Sequence, residues 1–326
     1  MRFTLSDDQN EIKRTAKDLL AARAGVAALR EHAEGAKYDD ALWKELCELG
    51  WPGIAIGEDH GGQGLGLVEL CVLAEELGYA CAAVPFLGTA LAALALEAAG
   101  DTEWLPKLAS GEARGALGRI GDLIPDAVDA DVVVVVDGDG NASIADDVEA
   151  VDAIDSSRRY GRVNSPGATS LGDVSAGLDR ALVVVAAEIV GVMQRSLDMA
   201  VEYVKERKQF GVPVGTFQSV QHKAAQMLLD TEGGRSATYF AAWTADAQPE
   251  RLSSAAAMAK AWTSDRGRET TGSNIQLHGG IGFTWEADAH WWYKRAQLDA
   301  AFLGGAGEHR ARISQLVGAE RAGAAA

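Results

Sequence analysis

From Asp173 to about residue 320 the chain holds one helical periodicity after another, and no other feature limits its possible folds so tightly. Apolar residues recur at helical spacing over roughly 175–209, then 217–246, 250–277 and 286–320. Helices of that length cannot each bury an apolar stripe alone. They must pack side by side, which predicts a bundle of long helices in the C-terminal half.

The first 110 or so residues predict a second helical unit. Ser6-Asp-Asp-Gln9 has the form of a capping box, and Ile12, Ala16, Leu19 and Leu20 then share one face of a helix starting near residue 7. Helical stretches at about 39–49, 66–77 and 86–99 are each followed by a glycine stop, at Gly50, Gly78 and Gly100. EDHGGQGLG (58–66) reads as a turn, with a ligand cradle as the alternative. Between about 115 and 170 the character changes: VVVVV (132–136), the turn signal DGDGN (137–141) and short β-favouring runs predict a small β-rich insert. The expected fold is mainly α with a small β domain, divided as residues 1–112, 113–172 and 173–326. Plentiful alanine and only 6% aromatic residues agree with closely packed helices rather than a β-sandwich.

Charge narrows the partners. With 30 basic against 47 acidic residues, a net charge of −17 repels phosphate backbones and anionic lipid, so neither nucleic acid nor membrane is expected. The longest apolar run, TALAALAL (89–96), is too short to span a bilayer. Cys47, Cys71 and Cys81 lie in apolar helical contexts without metal-ligand spacing, as core thiols of a reducing compartment do. The expected location is the cytoplasm.

Two segments carry chemistry. In ERKQFGVPVGTFQSVQHKAAQM (206–227) a long helix ends in Arg207 and Lys208, turns through Gly211, Pro213 and Gly215, and reopens as a helix near Phe217-Gln218. An arginine at such a corner, beside a helix N-terminus with free amides, can grip a phosphate. A helical hairpin whose basic residues offset the helix dipole is the equally open alternative. In NIQLHGGIGFTWE (274–286), Gly279, Gly280 and Gly282 let the backbone approach a ligand closely, and Gln276 offers an uncharged hydrogen-bonding side chain. Glu286 and His290 have an i, i+4 spacing without a third metal ligand, as on an exposed helix face. Trp285, Trp291, Trp292 and Tyr293 form an aromatic patch suited to helix packing or to a subunit interface.

R-x-Q-F-G, then P-x-G-x-F-Q-x-x-Q-H, then Q-x-x-G-G-x-G-F strongly resembles the acyl-CoA dehydrogenases, and LWKELCELGWPGIAIGEDHGGQGLGLVEL and EWLPKLASGEA resemble that family's first helical domain. The resemblance covers some 260 residues. It implies a helical domain, a middle β domain and a four-helix bundle, with FAD lying across a subunit interface. It implies that Arg207, Gln209, Phe210, Phe217, Gln218 and the loop from Gln276 to Gly279 and Gly280 contact the ADP half of FAD in the neighbouring subunit.

The departures from the family matter as much. Counting nine residues on from Arg295, where the usual catalytic glutamate would stand, lands on Gly304, and the nearby flavin-contacting positions hold Ala306 and Glu308. The family's other base position, thirteen residues before Gln194, holds Ala181. Asp179 is close to it, but two residues along a helix turn a side chain by about 200°. Glu188 is a carboxylate inside an apolar face, suited either to a raised pKa or to an ion pair with a neighbouring helix. The β insert is about half the family's length and shows neither its T-E-x-x-x-G-S-D segment nor its tryptophan segment. The implied identity is the smaller, non-catalytic subunit of an α2β2 acyl-CoA dehydrogenase. It would share FAD with a full-length subunit that acts on an acyl-CoA, such as a steroid side-chain thioester. A self-sufficient homo-oligomer using Asp179 or Glu188 as base, and a flavin-free scaffold, are the alternatives.

Overall fold

The computed structural model describes residues 4–324. The capping box forms as expected: the Gln9 amide donates to Ser6 Oγ at 3.2 Å and the Ser6 amide to Gln9 Oε1 at 2.8 Å. Six helices make the N-terminal unit, α1 (Asp7–Arg23), α2 (Val26–Glu34), α3 (Asp40–Glu48), α4 (Leu67–Ala80), α5 (Phe86–Ala99) and α6 (Leu105–Ser110).

Gly78 does not stop its helix. α4 continues to Ala80 and turns at Cys81, held at φ 50°. Gly78 serves packing instead, because a Cβ there would lie 2.2 Å from the carbonyl oxygen of Glu188. The reciprocal contact comes from Gly191, whose Cβ would lie 1.9 Å from the carbonyl oxygen of Glu75. Glu188 and Gly191 belong to α7 (Ser175–Glu206), so these two glycines let the two helices meet backbone to backbone.

α7 is the axis of the molecule. It packs against α4 and α5 of the N-terminal unit and against α8 (Gln218–Ala247), α9 (Leu252–His278) and α10 (Ala289–Ala301) of the bundle. Every residue from Ala181 to Met193 is buried. A helix that is apolar all round is stable only when enclosed in this way. The segment expected as one helix over 286–320 is two, α10 and α11 (Ala306–Ala324), broken where Leu303 and Gly304 adopt φ values of 55° and 99°.

The middle unit is one four-stranded sheet, ordered β1 (Gly115–Arg119), β2 (Val132–Val136), β3 (Asn141–Ile144), then β6 (Thr169–Asp173), with a small pair β4 (Glu149–Ala150) and β5 (Gly161–Arg162) beside it. β1 and β2 are parallel and the other pairs antiparallel. All five valines of β2 are buried because both faces are covered. Val132, Val134 and Val136 join the main core with α5, while Val133 and Val135 pack with Ile124, Ala127 and Val163 on the other side.

The chain is thus a mostly helical protein with a small β unit between two helical ones. Cys71 and Cys81 are buried, Cys47 is half-buried, and all three are free thiols. Burial pushes Cys47 up to about 11 and Cys81 to about 12, so neither is a ready nucleophile. Among the described residues no helix is long and apolar enough to cross a membrane.

Candidate cofactor-contact end and the cleft beside Gly304

At one end of the bundle α7 gives way to a two-residue hairpin. Lys208–Gln209 (β7) pairs with Val212–Pro213 (β8), and Phe210 and Gly211 form the loop at φ 54° and 82°. Positive φ at both loop positions is what a tight hairpin matching strand twist requires. It throws the Phe210 side chain outward, 94% exposed, with its edge toward Phe217 at 6.4 Å between ring centroids. Gln209 folds back, its amide donating to the Lys208 carbonyl at 2.8 Å.

α8 then begins at Gln218 with no side-chain cap. The Phe217 carbonyl accepts from the Val220 and Gln221 amides, and the amides of Gln218 and Ser219 have no acceptor among the described residues. Arg207, at the end of α7, is exposed and forms no ion pair among the described residues. Free amides at the positive end of a 30-residue helix suit an anion, and the exposed Arg207 lies in the turn just before it, its carbonyl accepting from the Val214 amide at 2.8 Å.

The glycine loop reaches the same end. Tyr203, one turn before Arg207, stacks on His278 with ring centroids 4.4 Å apart, and His278 Nδ1 lies 2.8 Å from the Asn274 carbonyl oxygen. The three glycines do different work. A Cβ on Gly279 or Gly280 would meet nothing within 4 Å, whereas one on Gly282 would lie 2.3 Å from the Ile275 carbonyl oxygen. Gly279 and Gly280 present open backbone, and Gly282 lets the chain fold back on its own helix. Gln276 is exposed beside them. The structure therefore brings Arg207, Gln209, Phe210, Phe217, Gln218, Gln276, Gly279 and Gly280 to one accessible end of the bundle. Its free donors fit the pyrophosphate half of a dinucleotide.

The aromatic patch divides. Trp291 and Trp292 are buried within the chain, Trp292 Nε1 donating to the Tyr79 carbonyl at 2.9 Å, while Phe283 and Trp285 remain exposed. Glu286 and His290 do not share a helix face, because α10 starts only at Ala289. His290 packs between Trp285 and Trp291 at 4.7 and 4.4 Å, and burial with the nearby Lys294 lowers its pKa to about 4. Leu228 and Leu229 of α8 and Met258 and Trp262 of α9 add further exposed apolar surface.

Deeper in the bundle, Arg295 and Glu188 belong to a buried ionic network. Arg295 donates to Asp155 Oδ2 at 2.5 Å, Glu188 Oε1 at 3.0 Å and Ser157 Oγ at 2.6 Å. Arg158 grips the same Glu188 oxygen and lies 3.4 Å from Asp299 Oδ1. Glu188 is thus an acid paired with arginines of a neighbouring helix and of the middle unit. Asp299 is held well above the usual carboxylate range, by burial first and by the charge of Glu188 second.

Leu303, next to Gly304, borders a different space. A cleft of about 750 Å³ lies between the sheet and the bundle, lined by Arg119, Ile120, Leu178, Asp179, Glu308 and Arg312 among others, and by neither tryptophan nor threonine. Asp179 pairs with Arg312 at 2.6 Å, and burial raises its pKa above the ordinary value. Glu308 pairs with Arg119 at 2.6 Å. The turn carrying Gly304 is held from below by Lys260. Its buried ammonium donates to Ser264 Oγ and to the carbonyls of Asp299, Ala300 and Gly304 at 2.9 to 3.3 Å. Burial lowers the Lys260 pKa to about 7.

Sequence reading missed both Lys260 and Arg158. A lone lysine on the stripe Ala256, Ala259, Thr263 and Gly267 was a usable signal for the first. Arg158 sits in an irregular loop, where no periodicity could have marked it.

Comparison with known proteins follows the same division. Residues 6–112 match the acyl-CoA dehydrogenase N-terminal domain and residues 172–317 the acyl-CoA dehydrogenase C-terminal domain. The chain is 36% identical to acyl-CoA dehydrogenase IpdE2 of Mycobacterium tuberculosis over 92% of its own length and 94% of that protein. It is 34% identical to acyl-CoA dehydrogenase FadE34 of the same organism over 97% of its own length but only 49% of that protein. Among solved structures, a steroid ACAD variant, Tcur3481-Tcur3483, superposes with a TM-score of 0.86 at 28% identity, covering 98% of this chain and all of that one.

Proposed function

From the premise that this chain belongs to the acyl-CoA dehydrogenase family, we propose that it is the smaller subunit of a heteromeric enzyme, lending contacts for the ADP half of FAD to an active site housed in a full-length partner. One observation carries the reading. The end that carries Arg207, the free amides of Gln218 and Ser219 and the open backbone of Gly279 and Gly280 is accessible, while the cleft beside Gly304 has neither a base at that position nor the residue types the family uses on the flavin ring.

In this role Arg207 and the amides of Gln218 and Ser219 neutralise the pyrophosphate, and Phe210 and Phe217 close one wall of the nucleotide. Gln276 with the open backbone of Gly279 and Gly280 fixes its approach. Bound FAD supplies the hydride acceptor for α,β-desaturation of an acyl-CoA, while the partner's carboxylate takes the α proton. Holding the tail of the cofactor rigidly places its reactive ring, and such positioning is itself catalytic.

The exposed apolar residues of α8 and α9 supply the surface for a homologous subunit in an α2β2 assembly. FadE34 supports the pairing, since a segment like this chain is there continuous with about as much sequence again. The steroid ACAD among the similar structures supports a bulky steroid-derived acyl-CoA as substrate.

A second reading, a self-sufficient enzyme with Asp179 as base, is favoured by one fact only: Asp179 lines the cleft, whereas Glu188 is locked between two arginines. Measuring FAD per subunit and acyl-CoA oxidation for the chain alone and co-expressed with a full-length dehydrogenase tests the proposal. Flavin and activity only with the partner are expected. A yellow, active chain alone would establish the second reading, and no flavin even with the partner would make the chain a scaffold.

A further inference from the structure

A Cβ on Gly304 would stand 2.8 to 2.9 Å from both carboxylate oxygens and the carboxyl carbon of Glu308. The acid has not simply been lost at position 304. One four residues further on, in the first turn of α11, occupies the space where the missing side chain would begin. Arg119 at the end of β1 pairs with it from across the cleft at 2.6 Å. The helix start favours the negative charge at that place.

We infer that the Glu308–Arg119 pair is the specificity determinant that makes this chain's own cleft refuse an acyl-CoA. The inference rests on the proposed division of labour between subunits and supplies its physical cause. Volume is not what excludes the ligand, since about 750 Å³ is ample for the thioester end of one. Charge and occupancy exclude it. Five carboxylates against two arginines line the cleft, and each arginine is already paired, Arg119 with Glu308 and Arg312 with Asp179. Among the described residues that line it, no free cation remains to receive the phosphates of CoA, and the like charge repels them. A glutamate restored at position 304 would have to displace the Glu308 carboxylate from its pairing with Arg119, on a residue whose φ of 99° already disfavours any side chain.

Two measurements on the full-length chain test this. In the first, the unfolding midpoints of Gly304→Ala, Glu308→Ala and the double variant are compared. Gly304→Ala lowers the midpoint, and the loss is smaller when Glu308 is already alanine, the remainder being backbone strain. Additive losses would overturn the inference. In the second, octanoyl-CoA is titrated and the thermal shift read. The wild type gives none, and Glu308→Ala or Glu308→Gln, which frees Arg119 and removes a negative charge, gives a shift that Leu178→Trp abolishes by filling the cleft. A wild-type shift lost on Leu178→Trp, or no gain in either Glu308 variant, would refute it. If the subunit reading fails instead, the chain loads flavin without a partner, a result separate from either measurement.

Discussion

Tyr203 and His278 stack with ring planes 22° from parallel, and this contact joins the end of α7 to the end of α9. It sets Arg207 and the Gly279–Gly280 backbone at one end of the bundle, although some seventy residues separate them in sequence. Removing the stack by Tyr203→Ala is expected to weaken FAD retention by the assembled enzyme by about 0.5–1.5 kcal/mol, the value of an aromatic pair. The check is a flavin titration of the complex, with helix content measured in parallel.

Arg207 is the cation proposed to grip the pyrophosphate at that end. Arg207→Ala should weaken FAD binding by the complex by roughly 1.5–3 kcal/mol, the scale of a charge-assisted hydrogen bond. Arg207→Lys should fall between, because an ammonium keeps the charge but not the planar fork. An unchanged FAD dissociation constant in the alanine variant would remove Arg207 from the site.

Glu188 holds two buried guanidinium groups together. Glu188→Ala leaves Arg158 and Arg295 short of a counter-charge in the interior and should cost about 3–5 kcal/mol in urea unfolding. The same variant addresses the self-sufficient reading. If Glu188 were a base, its loss would cut turnover in protein that still folds with wild-type stability.

His309 is buried and kept neutral, its pKa lowered to about 4 from an ordinary 6.5 by burial and by the Lys260 charge. Between those values the unfolded chain binds the proton that the folded chain does not, so stability rises with pH there. The contribution is complete above about pH 6.5 and is lost as pH falls toward 4, by roughly 3 kcal/mol at most. His309→Asn should flatten this part of the profile in urea unfolding between pH 4 and 7. The part due to His290, lowered to about 4 in the same direction, should remain.

The sequence alone determined the division into helical, β and helical units, the capping box at Ser6 and the β character of the valine run, and its resemblance to the family marked the residues proposed to grip the nucleotide. The units, the cap and the strand follow from local patterns of helical spacing and turn residues, whereas the nucleotide contacts were implied by the resemblance of two motifs. Even the glycine at position 304 was legible, because counting from Arg295 needs no structure.

Tertiary structure decided the rest. Periodicity carried Gly78 as a helix stop, but its use is the close approach to Glu188, which only the crossing of α4 and α7 reveals. The break of the last helix at Leu303 and Gly304 depends on Lys260 holding three carbonyls from another helix. Arg158 meets Glu188 across 30 residues and Arg295 meets Asp155 across 140. Burying a charge is tolerable only when its partner is brought to it. Which carboxylate meets which arginine is set by the packing of whole helices and loops, and no local pattern along the chain records it.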